Sequence, residues 1–480
     1  MEQNLNINNK VLLVGINTGS DELFHYEITE MSNLCEAMGL EVIETIVQNL
    51  PNPIPATYLG SGKLDEVKRY SEALDVAYVV FNDELTPVQF KNITNTINVD
   101  VFDRTMLILE IFKTRAKTKE AVLQVELAEL KYQLPRLAGS YTNLSRLGGG
   151  AGGGAGARRG SGETKLELDR RHIENKISKV KNELADIVLA RQINRKARIT
   201  NEVPVVALVG YTNAGKSSTL NTLLDLYNVD DKKQVFVKNM LFATLETSTR
   251  NIKLENNQEF LVTDTVGFVS KLPHHLVESF KSTLEEIKEA DLIIHVVDSS
   301  SPYLDLQVET TNNVLASLGV SNINTVYAFN KCDLLPSENF LPKNYSPSLF
   351  ISSKTKKGYD ELINYIKKSI FKDYITAEYI IPYHRGDIYN VMKEKGEVHE
   401  TNYLNDGIYV KATLSLHLTS LYEEYKKTLD WLIKCFYLLF LIFSNVSIVL
   451  TDILFFKYWH GKSLHLPQLF NFLSWAHDLI

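Results

Sequence analysis

The chain has 480 residues, too many for one ordinary hydrophobic core, so about two to four domains are expected. Hydrophobic residues make up 44% and charged residues 23%, which excludes a disordered or low-complexity chain. A net charge of −7, taken whole, argues against a general polyanion binder, and three widely separated cysteines (Cys35, Cys332, Cys435) exclude a disulfide scaffold and fit a reducing, cytoplasmic compartment.

The first segment, MEQNLNINNK, has no basic flank before the apolar run VLLVGI, so no secretory signal is expected there. Residues 10–104 alternate short β-branched runs with helical stretches: VLLVG (11–15), EVIETIV (41–47), VAYVVF (76–81) and VDVF (99–102) read as strands. That order predicts a small α/β domain with a parallel sheet over residues 1–104.

Two long helices are expected next, over 105–200. In the first, Leu123, Leu127, Leu130 and Leu134 recur at spacings of 4, 3 and 4; in the second, Ile173, Ile177, Val180, Leu184 and Ile187 recur at 4, 3, 4 and 3. Those spacings are seam positions through which two helices zip as an antiparallel hairpin. Two core helices of one larger domain are the alternative. The hairpin tip would be the run GGGAGGGAG, seven glycines in nine residues from Gly148 to Gly156. Residues 104–146 carry eight Lys/Arg against four Asp/Glu, and 158–198 carry twelve against six. The hairpin is thus strongly basic on an acidic chain, an electrostatic footprint for a polyanion. A solvated helix face is the plainer reading of the same charges.

Residues 201–372 again alternate strand and helix, with VVALVG, EFLVTDT, LIIHVVD, TVYAFN and LFIS as strands. A smaller α/β piece, 373–426, runs from TAEYIIPY (376–383) to GIYVKATL (407–414). The composition then breaks. Residues 427–480 contain all three tryptophans (Trp431, Trp459, Trp475) and the apolar run CFYLLFLIFSNVSIVL (435–450). Residues 435–456 are long enough to span a bilayer, with Lys426, Lys427 and Lys434 on the cytoplasmic side. Asp452 and the polar cluster Ser444, Asn445 and Ser447 weigh against membrane association. A helical pair packed on the body and an out-of-frame tail are the other readings.

The chemistry is carried by GYTNAGKS, where Gly210, Tyr211, Thr212, Asn213, Ala214, Gly215, Lys216 and Ser217 match the phosphate-loop pattern G-x-x-x-x-G-K-[ST] between a strand and a helix. Glycines let backbone N–H groups turn inward around phosphates, Lys216 reaches the β/γ oxygens, and the Ser217 hydroxyl ligates Mg²⁺. NKCD (Asn330, Lys331, Cys332, Asp333) ends a buried strand. A carboxylate there accepts two hydrogen bonds from the guanine N1–H and N2–H₂ edge, donors that adenine lacks. ISSK follows, placing the backbone around Ser352, Ser353 and Lys354 against the base, so the expected ligands are GTP and GDP. In DTVG (Asp264, Thr265, Val266, Gly267), Asp264 would hold Mg²⁺ through water and the Gly267 N–H would meet the γ-phosphate. Ahead of it, Phe242, Ala243, Thr244, Leu245 and Glu246 form the first switch, with Thr244 as the Mg²⁺ ligand and Thr247 as its competitor. Lys216, Thr244 and Gly267 are the catalytic candidates.

Phe268 follows DTVG where many GTPases place a water-orienting glutamine, so slow intrinsic hydrolysis is expected. Asn213 occupies the loop position with which several GTPases hold a K⁺ in place of an arginine finger.

YLGSGKLDEV (58–67), the glycine run into RRGSGETKLELDRR, GYTNAGKS, LFATLE, DTVGFV and the DGIYVKA strand together resemble the HflX family of ribosome-associated GTPases, collinearly from about residue 10 to 426. The glycine run joined to ETKLELDRR is the most specific piece. The resemblance implies a multidomain α/β protein: an N-terminal α/β domain with an antiparallel helical hairpin, a Ras-like P-loop G domain with a mostly parallel sheet, and a small C-terminal α/β domain. It implies GTP hydrolysis and binding, as a monomer, to the large (50S) ribosomal subunit and its rRNA, to split or rescue stalled ribosomes under stress. The tip is then Gly148 to Gly162, with Arg158 and Arg159 on RNA phosphates and Arg170 and Arg171 on the helix behind. The hydrophobic tail departs from the family. A nucleotide-gated binding module with negligible hydrolysis, acting on a membrane or protein partner, is the competing reading.

Overall fold

A computed structural model of the chain describes residues 9–137, 159–200, 203–227, 241–242, 248–254, 258–280, 285–320, 322–335 and 344–427. Two compact units divide at Asp373/Tyr374.

The first unit opens with β1 (Lys10–Asn17), α1 (Asp21–Ala37), β2 (Glu41–Asn49), α2 (Ser61–Ala73), β3 (Tyr78–Phe81), α3 (Pro87–Thr96) and β4 (Asp100–Asp103). Its sheet has the order β2-β1-β3-β4 and every pairing is parallel. Side chains of a strand alternate between faces, and β1 shows the consequence. Leu12 and Val14 pack with Leu64, Val67 and Ile93 of α2 and α3, whereas Val11 and Leu13 pack with Met31 and Leu34 of α1. A strand covered on both faces is apolar throughout, which is why VLLVG reads as an unbroken run. Thr86 caps α3 through a reciprocal box with Gln89, and Pro87 sits in the first turn, where its missing N–H costs nothing.

Helices α4 (Arg104–Arg115) and α5 (Lys119–Gln133) follow, then α6 (Arg159–Thr200). Leu123, Leu127, Leu130, Val180 and Leu184 form one buried seam, flanked by Ile173, Ile177 and Ile187. Leu134 is not part of it. Pro135 has no N–H to carry the helical ladder on to the carbonyl of Lys131, so α5 ends at Gln133 and Leu134, still at helical angles, opens a 3-10 turn to Arg136. Asp103 fixes the base of this pair: its carboxylate accepts from the amides of Leu85 (3.0 Å) and Met106 (2.8 Å) and from the Tyr132 hydroxyl (2.8 Å).

The same unit continues through β5 (Val205–Val209), α7 (Lys216–Leu226), β6 (Ser248–Lys253), β7 (Glu259–Asp264), α8 (His274–Ser279), β8 (Leu292–Asp298), α9 (Leu304–Ser317), β9 (Thr325–Asn330), β10 (Ser348–Phe350) and α10 (Tyr359–Ile370). The six-stranded sheet has the order β10-β9-β8-β5-β7-β6, parallel except for the antiparallel β6–β7 pair. The sequence reading missed β6. STRNIK buries only Ile252 fully and lies at the sheet edge, so it lacks the apolar alternation that betrays a half-buried strand.

The second unit holds β11 (Tyr374–Ile381), α11 (Gly386–Lys395), β12 (Glu397–Leu404), β13 (Gly407–Ser415) and α12 (Leu416–Leu421). Its sheet is antiparallel, β11-β13-β12, over a core of Tyr379, Ile381, Ile388, Met392, Val410 and Leu414. Among the described residues no helix is long and apolar enough to cross a membrane. The apolar run 435–456 lies outside them, as does the glycine run 148–156, whereas Gly160 and Gly162, expected in the tip, fall within the first turn of α6.

Candidate nucleotide site

The site forms where the central strand β5 ends. Residues 210–215 leave the sheet as a loop, and α7 begins at Lys216 with its N-terminus facing that loop. Gly215 stands at φ +97 before the helix. A Cβ there would lie 2.1 Å from Asn330 Nδ2, so both the backbone angle and the space demand glycine.

Lys216 Nζ donates to the carbonyls of Gly210 (3.1 Å) and Tyr211 (2.9 Å). Burial lowers its pKa to about 8, against the opposing pull of Asp264. Behind the loop, His295 on β8 is buried, and burial together with the Lys216 charge pushes it down to about 3, so the imidazole is neutral. The Ser217 hydroxyl donates to Asp264 Oδ2 at 2.6 Å, joining the start of α7 to the end of β7. These are hard oxygen donors suited to Mg²⁺. Among the described residues no three His, Cys, Asp or Glu side chains gather as a metal cage. A magnesium ion that takes its remaining ligands from phosphate and water does not need one.

The DTVG segment folds back over the loop. The Thr212 amide donates to Phe268 O (2.8 Å) and the Phe268 amide to Gly210 O (3.2 Å), while Thr265 Oγ1 donates to Leu208 O (2.7 Å). Gly267 is so close that a Cβ would meet Lys216 Nζ at 2.9 Å. Phe268 itself is buried in the core cluster beside Val266 and Val269. The place of the expected glutamine is therefore held by a packing residue whose ring lies in the core.

At the NKCD strand end, Asn330 is buried and both polar atoms of its side chain are hydrogen-bonded to the protein. It donates to Ala214 O (3.0 Å) and accepts from the Ser353 amide (3.0 Å) and hydroxyl (3.1 Å), tying the phosphate loop to the ISSK loop. Lys331 takes a left-handed φ of +62 and pairs with Asp298 at 2.7 Å. Beyond it, Cys332 is half-buried and Asp333 exposed, with Asp333 Oδ1 accepting from Ser352 Oγ at 2.6 Å. Lys354 is exposed and Asn213 stands exposed on the loop at φ +61.

The structure thus brings together residues 210–217, 264–267, 330–333 and 352–354. Thr244 and Thr247, with Ala243, Leu245 and Glu246, lie outside the described residues, as does Arg158; the Arg159 side chain is likewise not described. Arg170 and Arg171 are exposed on α6, beside Glu174 and Glu167 of the same helix. The Tyr211 side chain was not foreseen: it leaves the loop and meets Glu30 of α1.

Three family descriptions match in succession: "GTP-binding GTPase N-terminal" over residues 25–113, "GTP-binding GTPase Middle Region" over 115–198 and "50S ribosome-binding GTPase" over 205–331. A "GTPase HflX" from Caldanaerobacter subterraneus subsp. tengcongensis is 42% identical over 408 residues, covering 85% of this chain and 91% of that protein. The chain belongs to the HflX family of GTPases. A second HflX, from Lacrimispora saccharolytica, is 41% identical over 407 residues, with 85% and 93% coverage. Among solved structures, the SsGBP–GDP complex aligns at a TM-score of 0.41 and 26% identity, covering 76% of this chain and 99% of that one. As an HflX GTPase, the protein hydrolyses GTP.

Proposed function

We propose that this protein binds the 50S ribosomal subunit in its GTP form, hydrolyses GTP there, and splits or rescues stalled ribosomes under stress, working as a cytoplasmic monomer. The observation that carries the reading is a guanine-nucleotide site built into the same unit as a 42-residue basic helix. That helix exposes Arg170 and Arg171, and a polyanion is the partner such charge attracts. The printed names of the matching family and relatives point the same way.

In this reading Lys216 binds the β/γ oxygens, the Gly267 N–H binds the γ-phosphate, and Asp333 selects guanine. Ser217 and Thr244 would ligate Mg²⁺ directly and Asp264 through water. The ion, when bound, neutralises phosphate charge. Attack of water on the γ-phosphorus forms one P–O bond and breaks the bridging one, leaving GDP and phosphate. Residue 268 supplies no hydrogen bond to that water, so the subunit must complete the site. Asn213 would hold a K⁺ beside the phosphates; equal turnover in K⁺ and Na⁺ removes that role.

Turnover measured with and without purified 50S subunits tests the reading. Strong stimulation is expected; none would favour a nucleotide-gated binding module with negligible hydrolysis, for which the buried Phe268 speaks. Charge reversal of Arg158 and Arg159 should weaken subunit binding and flatten its salt dependence while leaving nucleotide affinity intact.

A further inference from the structure

One carboxylate joins three parts of the first unit. Glu30 of α1 is buried, and its two oxygens accept from Arg104 Nη2, from the Tyr211 hydroxyl and from the Ser270 hydroxyl. The Ser270 amide donates to the Tyr211 hydroxyl at 2.6 Å, and Arg104 Nη2 also reaches Ser270 O (3.1 Å) and Oγ (3.0 Å). Tyr211 belongs to the phosphate loop, and Ser270 lies three residues beyond Gly267. Next to it, Lys271 Nζ pairs with Glu27 (2.6 Å) and Asp83 (2.8 Å), both in the N-terminal domain. The first switch is held from the same side, with Phe242 edge-on to Phe112 of α4 at 4.7 Å.

A buried ion pair is poor support for fold stability, because desolvation offsets most of its attraction. It is well suited to holding one arrangement against another. Here it holds the 267–270 segment down. Gly267 crowds Lys216, and Phe268 is hydrogen-bonded to Gly210 and Thr212. A γ-phosphate needs room between Lys216 Nζ and the Gly267 N–H. Lifting Gly267 to make that room pulls on Ser270, whose hydroxyl and amide are both bound at the Glu30–Tyr211 pair.

We propose that Glu30, with Arg104, Tyr211 and Ser270, is a latch through which the N-terminal domain senses which guanine nucleotide is bound: closed with GDP, released by the triphosphate. Coupling between two sites is reciprocal. The triphosphate therefore loosens α1 from the G domain, and cutting the latch raises affinity for the triphosphate relative to GDP. The inference uses the guanine-nucleotide site alone and is independent of the ribosome reading.

The test is the Ser270→Ala variant of the full chain, titrated with fluorescent mant-GDP and mant-GTPγS in Mg²⁺. The ratio of the two dissociation constants should move about fivefold or more toward the triphosphate. A ratio that stays put, moves toward GDP, or survives while both affinities fall equally shows a merely structural contact and overturns the proposal. Hydrogen exchange on the unaltered protein gives an answer even if the variant does not fold. Amides of residues 21–37 should exchange faster with GTPγS than with GDP, and equal exchange overturns the latch. Failure of the unaltered protein to bind either analogue would instead refute the nucleotide site, and the latch with it.

Discussion

Gly215→Ala is the sharpest test of how the nucleotide site is held together. The backbone angle of +97 places any L-residue in a region that costs about 1–2 kcal/mol. The new Cβ would lie 2.1 Å from Asn330 Nδ2, so the amide must swing away. It then loses its bond to Ala214 O and the two it accepts from Ser353. Each buried polar group so orphaned costs about 1–3 kcal/mol. Partial relaxation leaves a total near 3–5 kcal/mol, a large share of the roughly 5–15 kcal/mol that holds a domain folded. Urea unfolding followed by fluorescence measures the loss, and mant-GDP titration should show affinity falling about tenfold or more, since every 1.4 kcal/mol is a factor of ten. Gly319→Ala is the matched control. It has φ +76 but nothing within 4 Å of its Cβ, so it carries the angular cost alone. If Gly215→Ala proves no more destabilising than Gly319→Ala, the Asn330 tie does not hold the loop and the reasoning is wrong.

Lys216, lowered to about 8 by burial, should regain its proton when phosphates arrive. The bound pKa then exceeds the free one, binding takes up a proton, and GTP affinity should drop toward tenfold per pH unit as pH rises above about 8; a flat profile in mant-GTP titrations counts against the buried ammonium. Phe268→Gln should destabilise the protein by about 2–4 kcal/mol and leave basal turnover slow, because the side chain packs in the core; faster hydrolysis would refute that placement. Leu184→Ala removes a seam residue between α5 and α6 and should cost about 2–3 kcal/mol, read as faster amide exchange confined to those helices; a uniform rise across the first unit would argue against a separate seam.

Much of the site was legible because its chemistry is local. GYTNAGKS, DTVG, NKCD and ISSK each place donors or acceptors within a few consecutive residues, and a strand end followed by a loop presents such groups whatever the rest of the chain does. The hairpin seam was legible for a related reason: a repeat of 4 and 3 is a property of one helix, and two such stripes have each other to bury. Where local chemistry intervened, the repeat failed, as Pro135 removed Leu134 from the seam. The edge strands β6 and β12 were missed because half-exposed polar strands carry little of the alternation by which strands are recognised.

The amino-acid order by itself thus determined the phosphate-loop motif, the NKCD strand end and the heptad stripes, since each is a short-range pattern with its own physical meaning. Tertiary structure alone decided where Tyr211, Phe268 and Asn330 spend their side chains: on Glu30, on the core and on the Ala214–Ser353 tie. It also decided that Glu30, Arg104 and Ser270 meet, although Glu30 and Ser270 are 240 positions apart. No periodicity encodes that meeting, because it depends on how two sheets distant in the chain pack within one unit, and packing is settled by the shape and charge of whole faces.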